Sequence, residues 1–142
     1  MSARTSVLLD TCAVIFMANG DPISAAARSA IQRAAQGDGV LVSPVSAWEI
    51  GLLARPTRKA PVQFLPDPKT WFALVLAHPG IREAPMTADI AIASSFLPPP
   101  VHGDPADRLL IATARSLNVP IITRDRLICG YAAAGHVVVV AC

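Results

Sequence analysis

The chain has 142 residues, of which 53% are hydrophobic and 15% are charged, and its formal net charge is +2. This length fits one domain with a large core, and a charged fraction well below the average of about 25% argues against disorder. The charge balance tolerates a phosphate backbone as a partner, but no run of basic residues marks a nucleic-acid-binding stripe.

Cysteine usage and the chain ends indicate a cytoplasmic protein. Cys12, Cys129 and Cys142 lack metal-ligand spacing such as C-x-x-C, which indicates free thiols in a reducing compartment. The N-terminal MSARTSVLLDTC has no apolar stretch long enough for a signal peptide, and the final VVVVAC is too short to span a bilayer. We therefore expect a soluble protein that does not enter a membrane.

Strand-like and helix-like patterns alternate from the start of the chain. TSVLLD predicts a buried strand that ends in an acid, and AVIFMA and PISAAARSAIQRAAQ predict two helices, the second with Asp21 as N-cap and Pro22 in its first turn. VLVS predicts a second strand, and PVSAWEIGLLA predicts a helix with Ser43 as cap and Pro44 at its first position. The proline-rich RPTRKAPVQFLPDP predicts a loop before the helix KTWFALVLAH.

The same alternation continues to the end of the chain. IREAPM predicts an edge strand because it contains Pro85, TADIAIASSFL predicts a helix capped by Thr87, and PPPVHG predicts a rigid connector. A helix PADRLLIATARSLN, a strand VPIITR, a short helix DRLICGYAAAG and a last strand HVVVVAC follow. Strands that are apolar throughout and alternate with helices predict an α/β fold: a mostly parallel sheet of about five strands, flanked by helices on both faces, in one domain over residues 1–142.

Five of the ten acidic residues are predicted to meet at one edge of this sheet. The carboxyl ends of parallel strands share an edge, which is where sites form in such folds. Asp10 ends the first strand and Asp125 follows the fourth. The other three acids lie near the starts of helices that border this edge: Glu49, Asp104 and Asp107.

Converging carboxylates favour a divalent cation. Two like charges 4 Å apart repel by about 4 kcal/mol at an effective dielectric constant of about 20, and a hard cation removes that penalty. Mg²⁺ takes carboxylate oxygens, keeps several waters and accepts phosphate as a further ligand. A metal held in this way lowers the pKa of a bound water and clamps the oxygens of a phosphoryl displacement, so the pattern predicts metal-assisted hydrolysis of a phosphodiester.

The first turn of the helix after PPPVHG allows two interpretations of its acids. Asp104 before Pro105 fits an N-cap, with a metal contact through water as the alternative. Asp107, three residues on, would complete something close to a capping box, but we favour a functional role for it. Asp10 has the weakest structural explanation, because an Asp that closes a buried strand is costly unless it is paired or binds a ligand.

Structural roles also compete at the other acids. SAWE fits a capping box, and if the helix began at Ser46, Glu49 would do no more than cap the start of that helix. Asp125 alone could be a turn residue, and Thr11 and Thr123 could orient neighbouring acids or a water. The three histidines fall in loops and suggest no base. The remaining acids are predicted to be solvated: Asp21, Asp38, Asp67, Glu83 and Asp89.

Together these motifs resemble the PIN-domain ribonucleases, and more narrowly the VapC-type toxins of bacterial toxin–antitoxin pairs. LLDTC is similar to the first strand and first acid of that family, VSAWEIGLLA to its second-acid helix, HGDPADRLLIATA to its third-acid helix, and ITRD to its fourth acid after a strand. Each motif alone is weak, but the four occur in the right order and spacing over nearly the whole chain.

The resemblance implies a PIN-like fold and Mg²⁺- or Mn²⁺-dependent cleavage of RNA in the bacterial cytoplasm. It implies a homodimer and a cognate antitoxin that blocks the site, which would fit the high apolar fraction. Asp104 matches an extra acid found in one branch of the family. The catalytic and metal-binding roles fall on four residues: Asp10, Glu49, Asp107 and Asp125.

Two other classes of function compete with a nuclease. A phosphotransfer domain, such as a receiver or a haloacid-dehalogenase-like phosphatase, also has an acidic pocket. DTC lacks the second Asp that the phosphatase motif needs two residues after Asp10, and Lys59 and Lys69 lie far upstream of the position where a receiver has its lysine. The other alternative is a non-catalytic module that binds a partner and keeps a cation site for stability.

Overall fold

A parallel sheet of five strands lies at the centre of the computed structural model, which describes residues 5–142. Residues 1–4, the start of the segment searched for a signal sequence, lie outside the described residues. Each pair of neighbouring strands is parallel, which confirms the predicted sheet. In the spatial order β3-β2-β1-β4-β5, the strands are β3 Ile81–Glu83, β2 Gly39–Val42, β1 Ser6–Leu9, β4 Ile121–Thr123 and β5 Val139–Ala141.

Helices cover both faces of this sheet. None of those in the described part of the chain combines the length and the apolar character that a membrane-spanning segment requires. Helices α1, α2 and α4 pack into one apolar core, and α5, α6 and α7 pack into the core on the other face. Their bounds are α1 Thr11–Asn19, α2 Ala25–Gln36, α3 Pro44–Leu53, α4 Pro68–Ala77, α5 Ala88–Ala93, α6 Pro105–Leu117 and α7 Arg126–Ala133.

The central strands of the sheet are buried on both faces. Side chains alternate along a strand, so Val7 and Leu9 of β1 enter one core and Leu8 enters the other. All four residues of β1 and of β2 are buried, as expected for parallel strands covered by helices on both sides. At the edge of the sheet, β3 is more exposed and ends two residues before Pro85, as predicted for this segment.

The start of α2 differs from the prediction. The helix begins at Ala25 and not at Pro22, and its N-cap is Ser24, whose hydroxyl accepts a hydrogen bond from the Ala27 amide at 3.0 Å. Ile23 packs partly against the core, and the carbonyl of Pro22 accepts a hydrogen bond from Arg124 at 3.3 Å. These contacts hold the preceding residues outside the helix, so Asp21 does not cap it.

Candidate functional site

Acidic side chains reach the carboxyl edge of the sheet from four parts of the chain. Strands β1 and β4 are adjacent, and the Asp10 amide donates to the carbonyl of Ile122 at 3.1 Å, which places Asp10 beside the end of β4. Asp125 lies two residues beyond β4. Helix α3 starts at this edge after β2, and α6, which leads into β4, starts there as well. The edge predicted from the alternation of strands and helices is therefore present.

Asp10 is buried, and two hydrogen bonds hold its carboxylate. Its Oδ1 accepts from the Ala13 amide at 2.8 Å and caps α1, and its Oδ2 accepts from the Thr123 hydroxyl. Burial raises the pKa of Asp10, the bonds from Thr123 and Ala13 oppose that rise, and the charges of Asp107 and Asp125 add to it. The negative charge of Asp10 is thus disfavoured unless a cation is near.

Glu49 lies in the second turn of α3 and is partly buried. The N-cap of this helix is Ser43, so the alternative in which Glu49 belongs to a capping box that begins at Ser46 is wrong. The Thr11 hydroxyl donates to Glu49 Oε1 and lies 3.0 Å from the Ser46 hydroxyl. Burial raises the pKa of Glu49, the bond from Thr11 lowers it, and the nearby charge of Asp107 raises it again.

The start of α6 joins a helix cap to a site acid. Asp104 is exposed, and its Oδ1 accepts from the Asp107 amide at 3.1 Å, which confirms the predicted capping role. The side chain of Asp107 does not turn back to the cap; its Oδ2 lies 2.7 Å from Nε2 of His102. Burial raises the pKa of Asp107, while the hydrogen bond with His102 opposes that rise and the charge of Asp104 adds to it.

Asp125 combines a helix cap with a place in the acidic group. Its Oδ1 accepts from the amides of Leu127 at 2.9 Å and Ile128 at 3.0 Å, and its own amide donates to the Thr123 hydroxyl at 3.0 Å. Thr123 therefore contacts both Asp10 and Asp125, two acids that follow neighbouring strands. The turn role considered from the sequence is real, but both capping bonds use one oxygen, so it does not exclude a second role.

Asp107, Asp125 and His102 form the tightest group at this edge. One ligand atom from each lies within 4.8 Å of the other two. Asp10 and Glu49 are outside that group but within electrostatic reach, because the charge of Asp107 raises the pKa of both. The five predicted acids thus border one edge, with Asp104 exposed at its rim.

His102 is the site residue that the sequence analysis missed. It lies in a loop, as predicted, yet its side chain is only 14% exposed and contacts Asp107. The available signal was its place at the end of the proline-rich connector, five residues before Asp107. No local rule relates residues at that spacing, so the contact depends on the path of the connector.

The charges at this edge are nearly all of one sign. Within residues 5–142, His102 is the one side chain with a basic nitrogen within 4.0 Å of any of these carboxylates. Two carboxylate charges 4.8 Å apart, the limit for Asp107 and Asp125, repel by about 3.5 kcal/mol at an effective dielectric constant of about 20. Carboxylates that have a single histidine as their nearest basic group fit a divalent cation, which would lift this repulsion.

The sequence and the fold place the chain in a known class of protein. The sequence profile of the PIN domain matches residues 7–133, and the chain belongs to the PIN-domain family. Within this class, it is similar to Ribonuclease VapC22 of Mycobacterium tuberculosis. The two are 33% identical over 123 residues, which cover 86% of this chain and 88% of that protein.

Solved structures with this fold include two VapBC structures bound to DNA. VapBC2 from Rickettsia felis, bound to a DNA fragment from its promoter, matches with a TM-score of 0.67 and 12% identity over 96% of this chain and 98% of the other. DNA-bound VapBC from Salmonella typhimurium matches with a TM-score of 0.56 and 15% identity over 96% and 97%. At these identities the likeness shows the fold, and the predicted PIN-like fold is confirmed.

Proposed function

We propose that this PIN-domain protein is a metal-dependent endoribonuclease that acts as the toxin of a toxin–antitoxin pair. The similarity to Ribonuclease VapC22 supports the activity. The observation that carries the proposal is the group of carboxylates at the sheet edge, two of them within 4.8 Å, with His102 as the one basic side chain in contact with them in the described part of the chain. Such a group suits a cation that also binds phosphate.

The ion, Mg²⁺ or Mn²⁺, would be held by the four acids that we propose as catalytic: Asp10, Glu49, Asp107 and Asp125. When bound, it would activate a water and stabilise negative charge on the phosphate. The chain orients these acids through neighbours: Thr123 donates to Asp10, and Thr11 donates to Glu49. Asp104 caps α6 and thereby positions the turn that carries Asp107.

Cleavage of a labelled single-stranded RNA by the purified protein tests this function. We expect cleavage with Mn²⁺, none in EDTA, and a loss of at least about a hundredfold in Asp107→Asn, beyond the 10- to 100-fold seen for residues that only support metal ligands. Asp89→Asn is the matched control, because Asp89 is an exposed first-turn acid of α5. Cleavage that persists in EDTA or in Asp107→Asn would contradict the mechanism.

Stabilisation by Mn²⁺ without cleavage of any RNA tried would favour the non-catalytic cation-binding module instead. Melting curves with and without the ion, recorded on the same preparation, separate these outcomes. In the described residues no lysine lies within 4.0 Å of any of these carboxylates, which leaves the receiver alternative without the lysine that it needs.

We also propose a cognate antitoxin and a homodimer as the assembly, acting in the cytoplasm. Large apolar side chains lie exposed on the described surface, and where such side chains form a contiguous patch they mark a site of protein–protein interaction. Light scattering on the purified chain should give twice the mass of one chain, whereas the mass of one chain would contradict the homodimer. The most exposed of these side chains are Phe96 at 78%, Leu65 at 71%, Val138 at 67%, Leu74 at 63% and Ile92 at 62%.

A further inference from the structure

His102 lies close enough to Asp107 and Asp125 to share a cation with them. Its Nε2 lies 2.7 Å from Asp107 Oδ2, and one ligand atom from each of His102, Asp107 and Asp125 lies within 4.8 Å of the other two. Adjacent ligands of an octahedral ion with bonds of about 2.1 Å are about 3.0 Å apart, and opposite ligands about 4.2 Å apart. Small side-chain rotations would therefore bring the three atoms to the spacing that one ion requires.

The connector that carries His102 is tied to the helices around it. Arg108, which follows Asp107 in α6, donates through Nε to the carbonyl of Ser94 at 2.9 Å and through Nη1 to the carbonyl of His102 at 3.5 Å. The Tyr131 hydroxyl donates to the carbonyl of Pro98 at 2.7 Å at the other end of the connector. The backbone of the connector is thus held by the surrounding helices, and the contact with Asp107 places the imidazole at the acidic edge.

We propose that His102 is a nitrogen ligand of the cation bound by Asp107 and Asp125, and that it makes the site prefer Mn²⁺ to Mg²⁺. This inference rests on the metal site of the proposed function. Mg²⁺ takes oxygen ligands and gives up its waters reluctantly, whereas imidazole is a ligand of first-row transition ions. In the bound state the imidazole hydrogen lies on Nδ1, and Nε2 exchanges its contact with Asp107 for a bond to the ion.

Electron paramagnetic resonance of Mn²⁺ tests the ligand directly. Loss of the free-ion signal measures binding, and spin-echo modulation by ¹⁴N reports a coordinated nitrogen. We expect ¹⁴N modulation in the wild type and its loss in His102→Gln. In this variant the Mn²⁺ affinity should fall by at least about tenfold, whereas the Mg²⁺ affinity, measured by competition with Mn²⁺, should fall by no more than about threefold. His78→Gln is the matched control, because His78 is exposed and follows α4 at the opposite edge of the sheet.

Mn²⁺ bound without ¹⁴N modulation in the wild type overturns the role of His102 and leaves the metal site intact. An unchanged ratio of Mn²⁺ to Mg²⁺ affinity in a folded His102→Gln protein does the same. No Mn²⁺ binding by the wild type overturns the metal site itself and the proposed function with it. The wild-type spectrum decides the question even if the variant does not fold.

Discussion

Replacing Asp125 with Asn separates the charge of this site acid from its capping of α7. Asn caps a helix as well as Asp does, so the bonds from the amides of Leu127 and Ile128 to Oδ1 can persist. The substitution removes a negative charge within 4.8 Å of Asp107. We therefore expect Asp125→Asn to be more stable than the wild type in the absence of divalent ions.

The size of this effect follows from two opposing contributions. Repulsion over 4.8 Å amounts to about 3.5 kcal/mol at an effective dielectric constant of about 20 and about 0.9 kcal/mol in water. Loss of a negative charge at a helix N-terminus costs about 0.3–1 kcal/mol. A net gain of about 1–2 kcal/mol is expected, which raises the Tm of a chain of this length by roughly 3–8 °C.

Thermal melts at about pH 8, first in EDTA and then with excess Mn²⁺, measure this gain. An ion at 100 times its Kd stabilises the wild type by about 2.7 kcal/mol, and the variant should gain less, so the order of the two Tm values should reverse. Asp67→Asn is the control, because Asp67 caps α4 but hydrogen bonds from Thr70 lower its pKa. Lower stability of Asp125→Asn in EDTA, or an equal response of both proteins to Mn²⁺, would refute the reasoning.

Three further predictions concern pH, a buried hydroxyl and a tight turn. Burial raises the pKa of Asp107, so the folded state binds the proton of Asp107 more tightly than the unfolded state does. The stability advantage of Asp125→Asn over the wild type in EDTA should therefore shrink as melts are repeated from about pH 8 to pH 5. A stability advantage that grows over this range contradicts the prediction. Thr123→Val removes the donor to Asp10 and should lower the free energy of unfolding by about 1–3 kcal/mol in urea titrations, with Thr123→Ser restoring it; an unchanged midpoint argues against the bond. Gly80→Ala should lower the free energy of unfolding by more than about 1–2 kcal/mol in the same titrations, because Gly80 has φ 84° and an added Cβ would lie 2.9 Å from Cβ of Ala35. In the control, Gly51→Ala, the added Cβ meets open space and should not destabilise the protein.

The sheet and its acidic edge could be predicted because they depend on patterns within short segments. Strands β1 and β2 are apolar and buried at nearly every position, which identifies a covered parallel sheet, and parallel strands necessarily end at one edge. Once Asp10 and Asp125 are assigned to the ends of two strands, their convergence follows from topology alone. The same reasoning places the start of α6, and with it Asp107, at that edge.

The features that were not predicted depend on tertiary contacts. Asp21 and Ser24 both satisfy the local rule for an N-cap, and the choice between them follows from the packing of Ile23 and from the contact of Arg124 with the chain before the helix. The contact between His102 and Asp107 depends on the path of a connector anchored by side chains from other helices. Neither contact leaves a periodic signal in the sequence.

The central claim is that acids at the carboxyl edge of the sheet hold a divalent cation. Crystals grown with Mn²⁺ test it most directly, because anomalous scattering locates the ion without reference to activity. We expect a strong anomalous peak in contact with the carboxylates of Asp107 and Asp125, and no such peak in Asp107→Asn crystals. A peak elsewhere on the molecule, with none at this edge, would contradict the claim.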